Sequence, residues 1–370
     1  MRHDLTRRAA LALAAAALAL PAAASDFDLD ALIEAAKAEP PITVYDSTSK
    51  IKGMAEAFTA KYGVQATGQK VSADDQVELV LREAQAGAVR GDVVILGDAP
   101  AGVLELIPQG AMESWLPPDL ADRIPAQFQN PLVPNNSPVV WAFNTGAAET
   151  CPFGNVWELT EPEFRGRVAL QDPLKRGELV DFFNQMETHG DATMAAAFQA
   201  RYGEAFDASQ GSATAAWVAR LAANAPLLTE SDQAIADAVG APGQTESFVG
   251  IVSTAKFRDN AAKGYQLGFC ADAEPFAGFA NPKLALIATG TKSPNAAKLF
   301  VRYVMTPEGI APQTEDGKMP THLDAALPAD EPSGVGGAVN RVFFFNAATA
   351  ADDFDRRQDW QDLWRLSYAR

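Results

Sequence analysis

The stretch that decides the fold runs from Ile42 to Leu96. It opens ITVYDSTS (Ile42–Ser49), passes through IKGMAEAF (Ile51–Phe58) and VQAT (Val64–Thr67), and closes VELVLREAQAGAVRGDVVIL (Val77–Leu96). Ile42 to Tyr45 is short, apolar and β-branched, the pattern of a strand. Ile51, Met54, Ala55 and Phe58 then recur at helical spacing, and Val64 to Thr67 reads as the next strand. A helix capped by Asp74 or Asp75 runs through Val77, Leu79, Val80 and Leu81. Asp92 to Leu96 is a buried strand by its continuous apolar run. This βαβαβ alternation predicts a mostly parallel sheet with helices on both faces, and ligands beyond the carboxyl ends of the strands. Two loops thereby fall at a site: Asp46 to Lys50, and Gly97-Asp98-Ala99.

Working outward, 370 residues suggest two domains or lobes, and 48% apolar against 21% charged residues excludes a disordered chain. With 30 Lys and Arg against 47 Asp and Glu the net charge is −17, which argues against a general nucleic-acid binder but says nothing of a local basic pocket. Three His and two Cys leave little for a zinc site built of those residues. No period of 20–50 residues repeats, which excludes solenoids and propellers.

Residues 1–24 read as a secretory signal: Arg2, Arg7 and Arg8, an apolar run from Ala9 to Leu20, then Pro21 and Ala22-Ala23-Ala24. Thr6-Arg7-Arg8 also resembles a twin-arginine export signal. Cleavage is expected after Ala24. Since the segment holds three Arg and one Asp, the charge then falls from −17 to −19. The expected location is a bacterial periplasm. In that oxidising compartment Cys151 and Cys270 either pair or remain two separate buried thiols.

Further along, VVWAFNT (Val139–Thr145) and GFANPKLALIAT (Gly278–Thr289) read as extended, and VALQ (Val168–Gln171) as a strand before the polar Asp172-Pro173. A helix is expected over Pro294–Met305, a turn at Glu187–Asp191, and a surface loop over Asp324–Gly337. Trp360, Leu363, Trp364 and Tyr368 share a helical spacing that predicts core packing.

Five segments taken in order resemble bacterial extracellular solute-binding proteins of ABC importers, in the family that includes ferric-iron, thiamine, polyamine, phosphonate and sugar-phosphate binders. They are Leu32–Ser49, Phe58–Val64, Val77–Asp98, Val168–Pro173 and Asn281–Gly309. The resemblance implies an α/β, two-lobed periplasmic-binding-protein fold of type II with two hinge crossover strands. Lobe one would hold residues 25–143 plus 283–370 and lobe two residues 144–282, with hinge segments near 139–145 and 278–289. A ligand would sit between the lobes, which close on it by hinge motion and present a surface to an inner-membrane permease. The expected partners are therefore a small-molecule ligand and an ABC permease. No cofactor and no nucleic acid are expected, and the protein is expected to be a monomer.

The candidate ligand-binding residues follow. Asp46, Ser47, Thr48 and Ser49 form a hydroxyl-rich loop before a helix, where side-chain donors and free N–H groups suit an anion. Asp98 is either a ligand to an amine or a turn residue. Asp172, Lys175 and Arg176 match the family's strand-to-helix loop, where a cation facing the cleft would clamp an acidic ligand; solvation of both cations is the other reading. Glu230 and Ser231 precede a helix where the family places ligand contacts. Together these residues favour a phosphorylated or carboxylated solute. The alternatives are a polyamine, for which Asp46, Asp98, Trp141 and Glu230 could serve, and ferric ion. The six tyrosines include no adjacent pair, so a family-type iron site is not expected. A secreted hydrolase is the rival class, but neither a G-x-S-x-G elbow nor an H-E-x-x-H helix is present.

Overall fold

The computed structural model describes residues 27–245 and 248–368. The expected signal, residues 1–24, lies outside them. With strands numbered in chain order, β1 (Ile42–Asp46), β2 (Ala66–Lys70) and β3 (Val93–Leu96) lie parallel in the order β2-β1-β3. The helices Ile51–Tyr62 and Ala73–Gln85 make the connections between them. β2 starts two residues beyond the expected Val64, because Val64 is buried in the core with Phe58 and Tyr62 ahead of the first ladder pair, Ile42 with Ala66. The second helix is capped by Ser72 rather than Asp74 or Asp75: Ser72 is extended, and its Oγ accepts from the Asp75 N–H. β11 (Leu284–Ala288) joins antiparallel to β3, and β4 (Met112–Ser114) antiparallel to β11, completing a five-stranded sheet.

A second sheet is built on the long strand β5 (Asn135–Asn144). β10 (Gly278–Pro282) and β8 (Val249–Ser253) flank it, both antiparallel. β6 (Val168–Gln171) and β7 (Leu227–Thr229) extend the β8 side, and β13 (Val342–Phe344) pairs with β10. The short strands β9 (Leu267–Phe269) and β12 (Met319–Pro320) also pair with β5.

The chain passes between the sheets at two adjoining places. Before β5, the Leu132 carbonyl accepts from Ala285 N–H at 2.8 Å and the Asn135 carbonyl from Lys283 N–H at 3.0 Å. Between β10 and β11, Lys283 is the single connecting residue. Val139 to Asn144, expected near the hinge, lies within the second sheet, hydrogen-bonded along both edges; the first crossing falls earlier, at 132–135. The C-terminal residues also differ from expectation. The resemblance assigned residues 283–370 to lobe one, yet Val342–Phe344 extends the second sheet, and the helix Ala350–Ser367 packs on the helices Gly177–Gln185 and Ala213–Ala223. Trp360 and Trp364, fully buried as their spacing predicts, share a core with Phe183 and Trp217. At Glu187–Asp191 the chain continues helically instead of turning, with Met186–Gly190 bridging two helices.

Cys151 and Cys270 are bonded, with Cα atoms 5.2 Å apart. The bond ties the loop after β5 to the residue after β9, and Cys270 is completely buried.

Candidate functional site: a lysine-floored cleft between the sheets

The carboxyl ends of β1 and β3 face the second sheet across the two crossings: Asp46, the last residue of β1, meets Gln313, and Gly97, just after β3, meets Asn281 of β10 and Lys283. Two lysines occupy the floor. Lys283, on the crossing between β10 and β11, is 7% exposed, and Lys318, just before β12, is 8% exposed. Lys318 Nζ donates to Ser253 Oγ at 2.9 Å and also to Ser137 Oγ. Burial, with the neighbouring charge of Lys283, pulls Lys318 down to about 8. Among the described residues, Lys283 Nζ donates to no oxygen. Gly97 makes room for it, since a Cβ there would lie 3.1 Å from Lys283 Nζ and 2.5 Å from the Ala73 Cβ.

Asp46 closes the lysine group on the β1 side. It is 2% exposed, accepts from Gln313 Nε2 at 2.9 Å and from the Thr48 N–H at 3.3 Å. Gln313 Oε1 in turn accepts from Asn135 Nδ2 at 3.0 Å, which links the β1 loop to the first crossing. Burial raises the Asp46 carboxyl from 3.8 to about 6, opposed by Lys283, by the Thr48 and Ser47 N–H groups and by Lys318. Because the folded value exceeds the unfolded one, the native state holds an extra proton between about pH 4 and 6, and stability falls as pH rises through that window. Asp46→Asn should make this fall shallower in urea unfolding followed from pH 4 to 7. An unchanged slope would assign the proton to another group.

The remaining carboxylates of the cleft each have a cation. Asp316, 3% exposed, meets Arg258 and lies 4.0 Å from Lys50. Asp232 accepts from the Ser253 N–H at 3.0 Å and lies 3.9 Å from Lys256, with burial raising its carboxyl above the usual range. Glu178 pairs with Arg176 at 3.1 Å. Asp46 stands between two lysines, so the floor carries one positive charge in excess.

The candidates from the sequence distribute unevenly. Asp46 is on the floor, with Ser47 and Thr48 half-buried above it and Ser49 exposed. The hydroxyls do not cap the following helix in the expected way: it starts at Ile51 after an uncapped Lys50, and Thr48 Oγ1 accepts from the Lys50 N–H instead. Arg176 faces the cleft at the start of the helix Gly177–Gln185, whose N-terminus has no side-chain cap. Asp172 accepts from the Leu174 N–H within its own turn. Lys175 and Glu230 pair with each other at 2.6 Å on the surface, with side chains 60% and 79% exposed. Ser231 caps the helix Asp232–Gly240. Asp98 caps the Ala99–Ala101 turn and is held by Arg357 at 2.7 and 3.0 Å. Lys283, Lys318, Ser137, Ser253 and Gln313 escaped the sequence reading. Only Lys283 left a trace there, as the one charge inside the apolar run GFANPKLALIAT.

Beside the lysine floor lies a pocket of about 600 Å³, reached past Gly97, Asn281 and Arg176 and running between Pro100–Val103 and the Phe344–Ala350 segment. No group of three or more His, Cys, Asp or Glu among the described residues is arranged to hold a metal ion.

Two α/β lobes with a polar cleft at their crossings define a protein that binds a solute. The sequence pattern of the family described as bacterial extracellular solute-binding protein matches residues 42–318, about three quarters of the chain, and the chain belongs to that family. The family binds small molecules and works with ABC permeases; its members are binding proteins and are periplasmic in bacteria. Solved structures of the same fold include iron-bound HitA from Pseudomonas aeruginosa, at 15% identity and a TM-score of 0.66, covering 86% of this chain and 99% of that one. AfuA from Actinobacillus pleuropneumoniae, with fructose-6-phosphate bound, is 19% identical with a TM-score of 0.58, covering 88% and 99%. AgtB from A. tumefaciens R10, in complex with agropinic acid, is 16% identical with a TM-score of 0.60, covering 88% and 98%. No curated protein sequence matches the chain significantly. No helix among the described residues is long and apolar enough to cross a membrane.

Proposed function

We propose that this protein captures a small organic anion, a carboxylate or phosphate ester, between its lobes and delivers it to an ABC permease in the periplasm. The observation that carries the reading is Lys283: a lysine buried along its length whose ammonium lies against Gly97 and, among the described residues, donates to no oxygen, beside a second buried lysine and one shared carboxylate. Two ammonium groups share one carboxylate here, so an anion placed at Lys283 would balance the excess charge and accept a charge-assisted hydrogen bond. Arg176, at the uncapped N-terminus of the helix Gly177–Gln185, lines the adjoining pocket from the other lobe and brings further positive charge to it. A polyamine would add positive charge to a floor already in excess, and the tyrosine spacing disfavours ferric ion. AfuA and AgtB, whose structures hold fructose-6-phosphate and agropinic acid, give precedents within the fold for solutes carrying an acidic group.

The test is calorimetry with carboxylates and phosphate esters against the wild type and Lys283→Met. Loss of a charge-assisted bond in a desolvated site should weaken binding at least tenfold, since such bonds contribute about 1.5–3 kcal/mol. Equal affinity in the variant would remove Lys283 from the site. Tight binding of spermidine or ferric ion in place of anions would overturn the reading.

A further inference from the structure

The pocket beside the lysines is chemically unlike them. Its walls are mostly apolar, with Pro100, Val103, Phe128, Leu284, Phe344 and Phe345, and the amides of Asn130, Asn136 and Asn346 lie among them. At about 600 Å³ it has the size of a drug-sized ligand site and far exceeds what a bare phosphate or metal ion needs. The charged groups along it already have partners within the protein. Asp98 and Asp181 both hold Arg357, and Asp353 accepts from Asn184 and Gln185. A solute entering it would therefore meet carbon surface and neutral amides rather than free ions.

The two compartments join at Gly97, which lines the pocket and lies against Lys283 Nζ, and at Asn281. Asn281 is 4% exposed; its Nδ2 donates to the Gly97 carbonyl at 3.4 Å, while its Oδ1 is buried without a donor. A buried acceptor left unpaired is a standing cost that a ligand hydroxyl or N–H would remove.

Resting on the anion-cleft reading above, we infer that the solute is an amphipathic organic anion. Its acidic group sits at Lys283, a hydroxyl or N–H beside that group meets Asn281 Oδ1, and an apolar body of ring size fills the pocket. This class disfavours inorganic anions and highly hydroxylated sugar phosphates as the preferred cargo, since neither would cover the carbon surface of Phe128, Leu284 and Phe345.

The experiment is calorimetry with acetate, phenylacetate, mandelate, inorganic phosphate and phenyl phosphate, on the wild type and on Lys283→Met, Val103→Phe and Ala347→Trp. The last residue lies at the exposed rim of the pocket, so that variant reports even if Val103→Phe fails to fold. The phenyl-bearing anions should bind at least tenfold more tightly than acetate and phosphate, and mandelate more tightly than phenylacetate. Ala347→Trp should abolish the phenyl advantage and leave the affinity for acetate and phosphate unchanged. A phenyl advantage that is absent, or that survives both pocket variants, overturns this inference while leaving the anion cleft standing. A phenyl advantage that is lost in Ala347→Trp but indifferent to Lys283→Met retains the apolar compartment and overturns the anion seat. Absence of binding by all five anions overturns both.

Discussion

Arg357→Ala is expected to lose about 3–5 kcal/mol of stability at neutral pH, the cost of removing one partner from a buried ionic group. The guanidinium is the only side chain that spans both carboxylates of this group among the described residues. It donates to Asp181 at 2.6 and 2.7 Å on the helix Gly177–Gln185, and to Asp98 at 2.7 and 3.0 Å after β3. Asp181 belongs to the second lobe, Asp98 to the first, and Arg357 to the C-terminal helix between them. Asp181 is 2% exposed, and burial raises its carboxyl to about 7 even with the arginine opposing. Without Arg357 that carboxyl must be protonated or stay buried as an unpaired anion. Its folded value would rise further, so the loss should shrink at acidic pH, where the proton is available to the native state. Urea unfolding at pH 7.5 and pH 5 reads both effects. A loss below about 1 kcal/mol at pH 7.5 would place this triad with weak surface pairs. Because the contact joins the lobes, small-angle scattering of the folded variant should also show a larger radius of gyration than the wild type. An unchanged radius would mean that other contacts keep the lobes together.

Reduction of Cys151–Cys270, or serine at both positions, is expected to cost about 2–4 kcal/mol, because a bond between residues 119 apart removes loop-closure freedom from the unfolded chain. The native geometry around it should survive. Cys270 is packed in the core of the second lobe with Trp141, Phe153 and Trp157, which hold it in place without the bond. The expected result is a lower denaturation midpoint for the wild type in reducing buffer and no response of the double serine variant to the same reductant. A wild-type midpoint indifferent to reductant would show that the bond contributes little.

Legibility in the sequence followed the range of the interactions. The strands β1 and β3, the helices between them, the Trp360–Trp364 spacing and the extended runs on either side of Lys283 are all set by local periodicity, and each was read from residues a few positions apart. The loop after β1 was legible as a site candidate because strand ends in such sheets face ligands. Lys175 and Glu230 illustrate the opposite case. They sit in loops of the right kind, yet their side chains reach each other across the surface at 2.6 Å. Loop position specifies a neighbourhood but not a direction.

By itself, then, the sequence determined the α/β class and the family, and pointed to the strand ends as the candidate ligand site. Only the tertiary structure decided the floor of that cleft. Lys283 and Lys318 are far apart in sequence, and neither lies in a loop that marks it. They meet Asp46, Ser137 and Ser253 because the chain crosses twice between two sheets. Tertiary structure also moved the C-terminal helix onto the second lobe, where Arg357 can reach both lobes. The physical reason is common to both: helices and strands arise from spacing along the chain, whereas burial of a charge beside another charge is a property of the folded arrangement alone.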